Sequence, residues 1–65
     1  MENKYYLRVQ MRGFSDNIEI LADQFHIKEG AYLFVENVGS LWKYIASYPV
    51  QYTIIYKIEK NQKDW

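Results

Sequence analysis

The sequence predicts an all-β domain, a single small antiparallel meander or partly open barrel of about five strands. Three observations predict it. Two segments, Lys4 to Arg12 and Tyr52 to Glu59, alternate apolar and polar residues with the period of a strand. Turn-forming residues recur at short intervals between the apolar runs. Aromatic residues make up 18% of the 65-residue chain, a composition that favours pleated, half-buried surfaces. The alternative is an α+β fold in which one helix over 16–26 lies across a sheet of about four strands.

In the first segment Tyr5, Leu7, Val9 and Met11 share one side, and Lys4, Arg8, Gln10 and Arg12 take the other. Gly13 to Asn17 reads as a turn cluster, because Gly tolerates positive φ and Asp or Asn side chains bond their own backbone. From Asn17 to Ile27 two periods compete. Ile18, Ile20 and Ala22 alternate as in a strand, while Ile18, Leu21, Ala22 and Phe25 fall at helical spacing behind an Asp16–Glu19 capping box. The strand is preferred, since Phe25 and Ile27 resume the alternation and a bend or bulge at 22–24 would restore its phase.

Lys28-Glu29-Gly30 is expected to be a tight hairpin turn with Gly30 in the left-handed region, feeding a strand from Ala31 to Glu36. Asn37 to Ser40 forms the next turn. Leu41 to Ser47 reads as a strand on its Trp, Tyr and Ile content, with a short helix capped by Ser40 as the competing form. Pro49 lacks an amide proton and holds Tyr48 extended, so the ladder breaks there before the last strand. The polar stretch Lys60 to Asp64 is expected to fray, with Trp65 either packing back or free.

A chain this short buries only about 60% of the surface it exposes when unfolded, so its stability needs help. There is no Cys to form a disulfide, and a lone His26 cannot close a zinc site. Aromatic burial and self-association remain, and a homo-oligomer is expected. The missing cysteines fit the cytoplasm, and no apolar run approaches the roughly 18 residues of a membrane helix. The chain opens on Met1 with no tag or linker, as a complete small gene product would.

Reactive constellations are missing. Ser15, Ser40 and Ser47 sit in or beside turns, where a hydroxyl satisfies local backbone, and pairing any of them with His26 and an acid is chance. Glu19 and Asp23 fit a solvated acidic edge better than a catalytic pair. Gly13, Gly30 and Gly39 are isolated and open no phosphate loop. No catalytic residue, cofactor or metal ligand is therefore expected. His26 is expected at a solvent-facing rim, where its charge could change near neutrality.

Tyr32 and Phe34 lie opposite Leu33 and Val35, and Trp42 and Tyr44 lie opposite Leu41 and Ile45, so two strands are apolar on both sides. One thin sheet cannot cover both. The expectation is a docking face built from Tyr32, Phe34, Trp42 and Tyr44, unless a closed barrel or a helix shields it. Single-stranded nucleic acid is the alternative ligand, held by Tyr6, Arg8, Arg12 and Lys43 as rings and cations of a small barrel. Charge argues against it: eight Lys plus Arg balance eight Asp plus Glu, and 13–40 is net acidic. A third possibility is sequestration of a small molecule between subunits.

The run Ile18 to Glu36, Ile-Glu-Ile-Leu-Ala-Asp-Gln-Phe-His-Ile-Lys-Glu-Gly-Ala-Tyr-Leu-Phe-Val-Glu, followed by a Gly turn and Tyr44-Ile-Ala-Ser-Tyr-Pro49, resembles small uncharacterised bacteriophage proteins. The resemblance covers Ile18 to Ile58 and carries no catalytic motif. It implies a phage-encoded accessory protein in the host cytoplasm that binds and blocks a host enzyme or defence factor. The function expected is thus a non-catalytic protein-binding module.

Overall fold

The computed structural model describes residues 2–60. The chain is all-β, and its strands form two antiparallel sheets that do not close into a barrel. Strand β1 (Asn3–Met11) runs between β2 (Phe14–Ala22) and β6 (Thr53–Glu59). In the other sheet β4 (Ala31–Val38) runs between β3 (Gln24–Lys28) and β5 (Leu41–Pro49). No helix forms over 16–26, which is extended on both sides of a bend at Asp23. The bend expected at 22–24 is there, and it is where the chain passes from one sheet to the other.

The turns follow from backbone chemistry. Arg12 and Gly13 alone join β1 to β2, with Met11 opposite Phe14, so the turn is tighter than the expected Gly13 to Asn17 cluster. Glu29 (φ 51°) and Gly30 (φ 76°) both adopt positive φ, the two-residue hairpin geometry whose twist matches the flanking strands. Val38 opposes Leu41 across Gly39 and Ser40. Past Pro49, a short 3-10 turn over Val50–Tyr52 returns the chain to the first sheet. The tail expected to fray, with Trp65, falls beyond Lys60 and outside the described residues.

The core lies where the two sheets meet. Tyr5 and Leu7 from β1, Ile20 and Ala22 from β2, and Phe34 from β4 are buried together. Leu7 and Phe34 are the largest side chains wholly removed from water. The Phe34 ring stands 5.3 Å from Tyr5, 5.9 Å from Phe25 and 6.5 Å from Tyr48, centroid to centroid, in tilted or edge-on geometries that suit ring quadrupoles. The inward row expected on β1 is buried at Tyr5, Leu7 and Val9, but Met11 is exposed.

Two register shifts decide which residues face this core. Between β4 and β5, Phe34 opposes Ala46 while Val35 opposes Tyr44, leaving Ile45 as an extra residue. Between β1 and β6, Tyr6 opposes Lys57 while Leu7 opposes Ile55, leaving Tyr56 unpaired. A bulge flips the alternation beyond it. The even alternation expected over Tyr52 to Glu59 is therefore broken: Thr53 and Ile55 share the side of Val9 and Leu7, whereas Ile58, not Lys57, falls opposite Tyr5.

Candidate interaction surface

The four rings expected on one docking face divide between the two faces of the β4 sheet. Phe34 is 0% exposed and belongs to the core, and Tyr32 is half-buried against Phe25, 5.9 Å away. Both are corrected from interface to interior. The reason is register: Tyr32 and Phe34 oppose Tyr48 and Ala46, and the Tyr5 side of the other sheet covers that face. Trp42 and Tyr44 precede the bulge, point to the opposite face, and remain 52% and 70% exposed.

What joins Trp42 and Tyr44 is a groove of about 410 Å³ on the outer face of this sheet. Its floor is Leu33 and Val35 from β4, and one wall is Trp42 and Tyr44 from β5. The other wall is the row Gln24, His26 and Lys28 from β3. Strand pairing builds it directly. Gln24 opposes Val35, which opposes Tyr44, and His26 opposes Leu33, so the lining residues stand in rows across the three strands. His26 is exposed, as the rim position expected of it requires. The groove's lining contains no carboxylate.

The outer face of the β1 sheet is organised differently. Tyr6 lies beneath two ammonium groups, Lys4 at 5.6 Å and Lys57 at 5.2 Å from its centroid. Arg8 covers Tyr56 at 5.6 Å. The two lysines have acidic partners: Lys4 pairs with Glu19 at 3.2 Å and Lys57 with Glu59 at 3.5 Å, while Arg8 donates to the Asn17 side-chain oxygen at 3.4 Å. The hydrogen-bonded Glu19 carboxylate holds Lys4 above its ordinary pKa. The Tyr6 hydroxyl donates to Glu59 Oε1 at 2.9 Å, which pushes the phenol pKa up and the Glu59 carboxyl down.

The alternative nucleic-acid set is not brought together either. Tyr6 and Arg8 share this face, but Arg12 sits in the β1–β2 turn, and Lys43 lies in the other sheet opposite Glu36. A polar depression near the end of β1, about 570 Å³, is lined by Glu2, Lys4, Leu21, Glu59 and Lys60. Its lining mixes both signs of charge, and Lys4 and Glu59 already have partners outside it in Glu19, Lys57 and Tyr6.

No group of His, Asp or Glu able to hold a metal ion occurs among the described residues. Nor, among them, is any helix long and apolar enough to cross a membrane. Compared with protein families, with curated proteins and with solved structures, the chain matches none.

Sequence reasoning found Trp42 and Tyr44 but missed Leu33, Val35, Gln24, His26 and Lys28 as their neighbours. The missing signal was the length of the Glu29–Gly30 turn. A two-residue turn sets Lys28 against Ala31, and from that register His26 must face Leu33.

Proposed function

We propose that the protein is a non-catalytic protein-binding module that acts by occupying a surface of its partner. The observation that carries this is the exposure of Trp42 and Tyr44 over an apolar floor. A chain of 65 residues has little apolar surface to spare from its core, and large rings left in water beside a groove are the side chains that concentrate binding energy. The open edges of β2, β3, β5 and β6 add unpaired backbone groups for strand addition.

The same edges support self-association, so the module is proposed to be a homo-oligomer. The resemblance to small bacteriophage proteins makes a host enzyme or defence factor in the host cytoplasm the proposed partner. Nucleic-acid binding is less well supported, because Arg8 lies in β1, Arg12 in a turn and Lys43 in the other sheet, so its cations do not form one track for phosphates.

Affinity capture from host lysate with three baits tests the function: the natural sequence, Trp42→Ala/Tyr44→Ala, and Tyr56→Ala on the other sheet. A partner retained by the first and third but lost by the second is the expected result. Identical capture by all three would remove the groove from the function. Sedimentation at micromolar concentration tests self-association, and a monomeric mass would exclude it.

A further inference from the structure

The groove's two walls differ in chemistry, and that difference identifies what it takes. On the β3 side stand Gln24, His26 and Lys28, all donors or cations, whereas Trp42 and Tyr44 on the β5 side supply ring faces. Among the described residues no Asp or Glu lines the groove, although Asp23, Glu29 and Glu36 each adjoin a lining residue in sequence. Opposite charge must therefore come from the occupant. The walls are separated by two strand spacings, about 10 Å, the width of a single extended chain. Gln24 to Lys28 spans about 13 Å of strand, enough for four or five extended residues.

The geometry points to an extended, acid-bearing peptide segment of the partner protein as the groove's ligand. Its apolar side chains pack on half-buried Leu33 and on the ring faces of Trp42 and Tyr44, above buried Val35, and its carboxylates meet Lys28 and His26 along the β3 wall. Apolar contact supplies the affinity and the Lys28 ammonium on one wall supplies the selection, since like charge beside it is penalised. This inference rests on the docking reading above and adds the charge and conformation of what docks.

The test uses two fluorescein-labelled, terminally blocked hexapeptides, one alternating Leu with Glu and the other alternating Leu with Lys, titrated by anisotropy at low ionic strength. The acidic peptide is expected to bind at least tenfold more tightly than the basic one. Lys28→Glu is expected to abolish or reverse that preference, and Trp42→Ala to weaken the acidic peptide at least tenfold. Added salt should narrow the gap. Equal affinity for the two peptides, an acidic preference that survives Lys28→Glu, or no binding of the acidic peptide at millimolar concentration would overturn the inference. The docking reading fails separately, through capture that Trp42→Ala/Tyr44→Ala leaves unchanged.

Discussion

The backbone N–H of Asn37 donates to Oδ2 of Asp23 at 2.6 Å, binding the far end of β4 to the bend between β2 and β3. The Asp23 N–H donates in turn to the Val35 carbonyl at 2.9 Å. The Asn3 side chain donates to the Asp23 carbonyl at 3.1 Å. One residue thus ties the crossing strand to both sheets.

The Asn37 amide holds the Asp23 carboxyl below its ordinary pKa of 3.8, and the Tyr6 hydroxyl does the same for Glu59. A carboxyl whose folded pKa is depressed contributes stability above its unfolded pKa and loses it as pH falls through the folded one. Thermal midpoints are therefore expected to fall with acidification below about pH 4. Asp23→Asn should lower the midpoint at neutral pH and flatten the acid limb. An unchanged limb in that variant would show that the Asn37 contact does not couple to folding.

Phe34 and Trp42 were both candidates for the interface, and their burial now separates them. Phe34→Ala is expected to cost about 3–5 kcal/mol, enough to unfold much of a domain this small. Trp42→Ala should change stability by about 0.5 kcal/mol or less. Urea unfolding followed by circular dichroism distinguishes them, and comparable losses from the two would contradict the assignment of faces.

Thr53 is 4% exposed, and its Oγ1 has no hydrogen-bond partner among the described residues. Thr53→Val keeps the shape and removes a buried, unsatisfied hydroxyl, so it should stabilise the protein by about 1 kcal/mol. A higher urea midpoint is the expected reading, and a lower one would mean that the hydroxyl is satisfied in solution.

Tyr6→Phe removes the donor to Glu59. The Glu59 carboxyl pKa is expected to rise toward its ordinary 4.5, read from its side-chain carbon shift during an NMR titration. Because the Tyr6 phenol pKa is raised by this bond, its contribution holds below the unfolded value near 10 and is lost as pH climbs through the folded value. The alkaline limb of stability should accordingly weaken in the variant. An unmoved Glu59 titration would argue that Lys57 governs that carboxyl.

Alternation and turn chemistry alone specify the class of fold, a tight turn with Gly30 at positive φ, and the inward row Tyr5, Leu7 and Val9. Each of these is local: alternation, positive φ and the absence of an amide proton on Pro49 act within a few residues. Even the competition between helix and strand over 16–26 carried its own resolution, since Phe25 and Ile27 resume the alternation across a bend at Asp23.

Which side of β4 and β5 became core was settled by packing between the two sheets. Both sides are apolar, so no period in the sequence could rank Phe34 and Tyr32 against Leu33 and Val35. The choice depends on the extra residue Ile45, which reverses the phase of β5, and on the bend that sets the Tyr5 side of one sheet against the Phe34 side of the other. Bulges and sheet crossings are settled by burial between residues far apart in the chain, and burial left Trp42 and Tyr44 on the face that the other described strands do not cover.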